Sequence, residues 1–198
     1  MVRKIVYGLL AVAAGVLALG IMLPGTWHVE QSATVDAAPE TVYGLIADLR
    51  RWPEWTEWNT TSDPGVQWHY SGPAVGAGSI MEWQGPRMGI GRVQLTAGDS
   101  KQGIRFGIAF QGHEPATGAI RLAGEGRKTV VTWAMDGDVG GNPLMHLLAP
   151  QVRSMLREEL DERLAKLGEL AKKQQGELDH PTTAPPSPTA AAGPAAAP

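Results

Sequence analysis

Few side chains in this sequence stand where they could do chemistry. Asp136 and Asp138 lie two apart at the end of an alternating run, on one face if that run stays extended, and Tyr70 closes another run on its apolar face. A pair of carboxylates and a phenol at the mouth of a cavity are the groups a general acid–base catalyst needs. The Gly140-Gly141 pair downstream gives the carboxylates a plainer role as turn residues. Tyr70, Asp136 and Asp138 are therefore the only catalytic candidates, and none is assigned. There is no Cys, which excludes thiolate nucleophiles, disulfides and cysteine zinc sites. His28, His69, His113, His146 and His180 never fall at ligand spacing, and His113-Glu114 is followed by Pro115 and Thr117 where a zinc-protease helix needs its second histidine. Neither a nucleophile elbow nor a phosphate loop is present. No metal and no cofactor are expected.

The aromatic residues carry more information. The chain has 7 Trp, 3 Tyr and only 2 Phe, and most of these rings fall on one face of alternating runs. In GIRFGIAF, Ile104, Phe106, Ile108 and Phe110 alternate with Arg105, Gly107, Ala109 and Gln111. The same period puts Trp68, Tyr70, Met81, Trp83, Trp133 and Met135 on that dry face. His69, Glu82, Arg92, Gln94, Arg105, Arg121 and Thr132 fall on a wet one. Large rings fill a core well, and they line an apolar pocket equally well when methionines add adaptable surface. The expected lining is Trp55, Trp58, Trp68, Tyr70, Met81, Trp83, Phe106, Ile108, Phe110, Trp133 and Met135, closed by Leu148, Val152 and Met155. Arg92, Arg105 and Arg121 form a solvated row or a seat for an anionic headgroup.

These residues need a sheet and a lid to position them. Trp27–Val35 alternates as a half-buried strand. Pro39 and Glu40 suit a helix start, and Val42, Leu45, Ile46 and Leu49 continue an amphipathic stripe. Trp52, Trp55 and Trp58 follow at intervals of three, close enough for one helical turn to cluster them. Six further strands are predicted at Val66–Tyr70, Ser79–Trp83, Gly91–Thr96, Gly103–Phe110, Thr117–Leu122 and Thr129–Met135. Asn142-Pro143 caps a long amphipathic helix that Pro150 should kink or break and that Gly176 should stop. The pattern specifies an α+β helix-grip fold: a curved antiparallel sheet of six to seven strands wrapped around a long C-terminal helix.

The stretch VEQSATVDAAPETVYGLIADLRRWPEWTEWN resembles the opening of the START-like (SRPBCC) superfamily of polyketide cyclases, dehydrases and lipid-transport proteins. The resemblance rests on Ala38, Pro39, Glu40, Val42, Asp48, Trp52, Trp55 and Trp58. It extends from Trp27 to Gln175, and only the first thirty residues of it are specific. It implies a hydrophobic-ligand cavity between sheet and C-terminal helix. The superfamily name also implies cyclase or dehydratase chemistry as an alternative.

The two ends differ from the middle. Ile5 to Leu23 is a run of 19 uncharged residues after Arg3 and Lys4, and at 1.5 Å per residue it spans about 28 Å, enough to cross a bilayer. The basic flank places the N-terminus in the cytoplasm and the rest outside, as a single-pass inner-membrane protein. A signal peptide cut near Ala18-Leu19-Gly20 is the alternative. A small-residue stripe of Gly8, Ala11, Ala14, Gly15 and Ala18 allows a weak helix-mediated dimer. His180–Pro198 holds 6 prolines and 7 alanines, a composition that cannot build a core. The chain thus divides into an anchor (1–25), a helix-grip domain (26–176) and a disordered tail (177–198). Beyond residue 25 there are 15 basic and 20 acidic residues, which argues against nucleic acid as a partner. The expected function is a membrane-anchored, outward-facing binding protein for a lipid, isoprenoid or quinone-like molecule. A cyclase-like enzyme and a non-ligand interaction module are the alternatives.

Overall fold

Seven alternating runs become seven strands of one antiparallel sheet. The computed structural model describes residues 2–180, and the rest of the expected tail lies outside the described residues. The apolar N-terminal run forms α1 (Val2–Met22), followed by β1 (Thr26–Val35), α2 (Pro39–Ile46) and a 3₁₀ turn at Leu49–Glu54. The strands β2 (Gln67–Ser71), β3 (Ile80–Gly85), β4 (Gly89–Asp99), β5 (Gly103–Phe110), β6 (Ala116–Glu125) and β7 (Lys128–Asp138) form a meander. The short helix α3 (Pro143–His146) and the long α4 (Ala149–Asp179) close the chain. Sheet order is β1-β7-β6-β5-β4-β3-β2, so the first and last strands pair, with Thr26 opposite Asp138 and Val35 opposite Thr129. A bulge between Leu95 and Ala97 shifts the β4–β5 register and bends that strand.

Local chemistry sets the boundaries. Ala38 is extended, and Pro39 occupies the first turn of α2, where its missing N–H leaves no bond unmade. The expected stripe through Leu49 is buried, but it spans two elements. Asp48 accepts a hydrogen bond from the Arg50 amide at 2.9 Å and starts the 3₁₀ turn that carries Trp52. The C-terminal helix is not one piece. Asn142 caps Leu144, α3 lasts a single turn, and α4 begins at Ala149 with Pro150 in its own first turn. Starting a new helix costs less than placing proline in a helix interior, where it would remove a bond and clash. At the far end α4 runs through Gly176 to Asp179, because Gly176 does not take the left-handed conformation that would stop it.

The dry face is covered by three things in sequence. α4 packs along β1 and touches β7 and α2, burying Leu160, Leu164, Leu167 and Ala171. α2 lies over the middle strands, β5 to β7. The tryptophans of the 3₁₀ turn and the loop after it cover the rest. On the wet face charges pair across strands: Arg121 with Glu30 at 2.6 Å, Arg92 with Glu82 at 3.6 Å and His28 with Asp136 at 2.7 Å. Each is exposed and adds little stability.

Candidate functional site: a tryptophan layer under a buried arginine

Trp52 lies in the 3₁₀ turn and Trp55 caps its end, and they donate their indole N–H groups to the carbonyls of Ile46 and Leu45, at 2.9 and 3.4 Å. These bonds fix both rings against the end of α2. From there a continuous ring layer spreads over the sheet. Trp52 lies 5.4 Å from Trp55, 5.7 Å from Trp58 and 5.3 Å from Phe106, centroid to centroid. Trp133 lies 5.6 Å from Trp55. Trp58 stacks on Trp83 at 5.4 Å, and Phe110 and Trp68 border Trp83 at 5.4 and 6.1 Å. The flat approach needs small neighbours: a Cβ on Gly91 or Gly118 would fall 2.1 Å from the Trp83 ring or 2.2 Å from the Phe106 ring.

Arg163 on α4 lies over this layer, only 5% exposed. Its guanidinium carbon is 4.8 Å from the Trp58 ring centre and 5.9 Å from that of Trp133, within cation–π range. Glu159 pairs with it one turn back, and Glu57 stands 3.7 Å from its Nε while also pairing with Lys166. Burial works to raise the Glu57 carboxyl, but the Lys166 hydrogen bond and the charges of Lys166 and Arg163 hold it below the ordinary range. Four buried polar atoms here find no hydrogen-bond partner among the described residues: Trp83 Nε1, Trp133 Nε1, Arg163 Nε and Glu57 Oε2. Three of the four are donors. Arg163 Nε and Glu57 Oε2 face each other at 3.7 Å as an ion pair, so the penalty of about 1–3 kcal/mol for an unsatisfied buried group falls on the two indole N–H groups.

The loop that carries Trp58 is pinned by Asp63. This carboxylate is fully buried and accepts from the amides of Arg87 and Met88 at 2.8 and 2.9 Å and from Gly65 at 3.2 Å. Burial alone would raise its pKa, but those amides and the Arg87 charge hold it below the usual carboxylate value.

Of the lining residues expected from sequence, Trp55, Trp58, Trp83, Phe106, Phe110 and Trp133 meet in the ring layer, and Met81, Ile108 and Met135 are buried with them in the same core. Trp68 and Tyr70 reach its rim half-buried, Arg50 lying 5.1 Å from the Tyr70 ring centre. Burial pushes the Tyr70 hydroxyl up, opposed by Arg50 and aided by Asp48. Val152 is half-buried, whereas Leu148 and Met155 are exposed at 44% and 61%. Asp136 and Asp138 are exposed: Asp136 pairs with His28, and Asp138 accepts from the Gly140 amide at 2.7 Å as a turn residue does. The fold does not bring them to Tyr70 or to the rings. An open depression of about 640 Å³ meets the layer at Trp68, Trp83 and Phe110 and is otherwise lined largely by polar residues such as His69, Glu82 and Arg92.

Sequence reasoning missed Trp52, Glu57 and Arg163 as members of the site. Arg163 had a legible signal, since it stands three residues after Leu160 and four before Leu167, on the apolar stripe of α4. A charge at a stripe position needs buried partners, and here they are two indole faces and two carboxylates.

No curated protein matches this chain. Solved structures do, at low identity. Ara h 8.0201 superposes with a TM-score of 0.56 at 12% identity, covering 75% of this chain and 99% of that one. Norcoclaurine synthase from Thalictrum flavum, a point mutant in complex with a transition-state analogue, gives 0.55 at 12% identity over 75% and 96%. A Thermus thermophilus protein, TTHA0849, gives 0.54 at 20% identity over 75% and 99%. At such identities the likeness speaks to the helix-grip fold alone. A family model described as polyketide cyclase / dehydrase and lipid transport matches residues 26–172, from the first strand to the last turns of α4. The chain belongs to the polyketide cyclase/dehydrase and lipid transport family.

Proposed function

We propose that this chain is a membrane-anchored, outward-facing binding protein for a hydrophobic small molecule with a polar acceptor group, held between the sheet and α4. The single observation that carries this is the pair of buried indole donors without a hydrogen-bond partner, Trp83 Nε1 and Trp133 Nε1, within an otherwise apolar ring layer. A layer serving only as core would gain by replacing such donors with carbon. A carbonyl, quinone or carboxyl oxygen would satisfy them, and the rings and Met81 would bind the apolar body. Trp58 is the ring that must move, because it comes from a loop and is the least buried of the inner layer at 9%. α1 is long and apolar enough to cross a membrane, and as a retained anchor it would hold the domain against a source of such molecules.

Organic extraction of the purified full-length chain followed by mass spectrometry tests this directly, with fluorescent fatty acids and short-chain quinones then titrated against tryptophan fluorescence. A bound lipid-like compound, or saturable quenching that Arg163→Ala weakens about tenfold, the loss of roughly one charge-assisted hydrogen bond, is the expected result. A chain that extracts empty and responds to neither probe class overturns the proposal.

A further inference from the structure

The N-terminal helix does not merely precede the domain; it is seated on it. Gly20 of α1 is buried, and a Cβ there would lie 2.2 Å from the Pro143 carbonyl oxygen. The His146 ring reaches the Gly20 carbonyl at 2.9 Å and the Gly140 carbonyl at 3.0 Å. The Val139 amide donates to the Gly25 carbonyl at 3.0 Å. α3 is thereby held at the level of the last turn of α1. Gly20 is three residues from the end of the apolar run at Leu23, about 4.5 Å along the helix axis, so a spanning α1 puts α3 at the boundary of headgroups and acyl chains, where interfacial segments lie.

The residues placed there match that depth. Leu144, Met145, Leu148 and Met155 are exposed at 50%, 39%, 44% and 61%. From Val139 to Leu156 only Arg153 carries a full charge, whereas α4 from Arg157 onward is densely charged. α3 is in contact with α1, whose Ile21 and Met22 are also exposed, and charge becomes dense only from Arg157. On its inward side α4 reaches the core at Leu156 and then Arg163.

We infer that α3 and the first turns of α4 form a second membrane contact, a docking surface for the outer-leaflet lipid beside α1. It rests on the anchored reading and deepens it, because the start of α4 then faces lipid rather than water. Since the chain has no cysteine, single nitroxide labels report depth without background. Leu144→Cys, Leu148→Cys and Met155→Cys would be labelled in the full-length chain in phosphatidylglycerol–phosphatidylethanolamine nanodiscs. Val12→Cys would serve as the reference within α1, and Lys101→Cys, in the turn at the opposite end of the sheet, as the aqueous reference. Labels at 144 and 148 several-fold more accessible to oxygen than to a nickel chelate, against the reverse at 101, are the expected result. Aqueous readings at both 144 and 148, or spin–spin broadening there that marks a second copy of the chain, overturn the inference whatever Val12 reports. An aqueous Val12 label removes the anchored reading by itself.

Discussion

At the residue scale the informative atoms are indole nitrogens. Trp52 and Trp55 spend theirs on backbone carbonyls, while Trp83 and Trp133 keep theirs unpartnered in the same layer. Trp133→Phe and Trp83→Phe remove a donor and keep an aromatic ring. In the empty chain, losing an unsatisfied group, worth about 1–3 kcal/mol, offsets much of the volume lost, so urea midpoints should stay close to wild type. Ligand affinity should fall in both. A variant that loses several kcal/mol of stability (~3 or more) with binding intact would make these rings plain core. The aromatic face was legible from the two-residue period, because a strand turns alternate side chains the same way whatever surrounds it. Arg163 is not legible in the same way, because a helix-period pattern reports apolar positions, and of the partners that allow a charge there only Glu159 is on its own helix; Trp133 comes from β7, and Trp58 and Glu57 from a loop about a hundred residues earlier.

At the element scale the Trp55–Val66 loop is the movable cover, and Asp63 is its catch on the β3–β4 turn. Its carboxyl is held below the ordinary value of about 3.9. Its stabilisation is therefore fully present above the unfolded pKa and is lost as pH falls through the lower folded one. Asp63→Asn keeps one acceptor oxygen where the carboxylate uses two for three amides. At pH 7 the variant should show a lower denaturant midpoint and faster hydrogen exchange at Arg87 and Met88, and the gap from wild type should close below pH 4. An equal gap at all pH values would show that the charge is irrelevant. The elements themselves were readable, including the strand order of a meander. The break at Ala149 was only half readable: Pro150 announced an interruption, but whether a helix kinks or restarts depends on what the preceding turn packs against, and that is α1.

At the scale of the whole molecule, the contact between α1 and α3 joins two segments more than a hundred residues apart. No local pattern reveals it, since Gly20 reads as one more small residue in an apolar run. Gly20→Leu places a branched side chain against a backbone carbonyl that cannot swing aside. Amide exchange across residues 139–148 should rise strongly while the tryptophan emission of the ring layer stays unchanged; unchanged exchange would mean that the two helices are not seated on each other. The three residues between α1 and β1, Leu23, Pro24 and Gly25, reach at most about 11 Å. On the anchored reading so short a tether removes the third dimension from the search for ligand. Occupancy would then follow the mole fraction of ligand in one leaflet rather than its solubility in water, as a tethered site responds to local concentration. Two membranes with equal total ligand but different lipid-to-ligand ratios would load the domain differently, and a dissociation constant measured in aqueous buffer would predict neither.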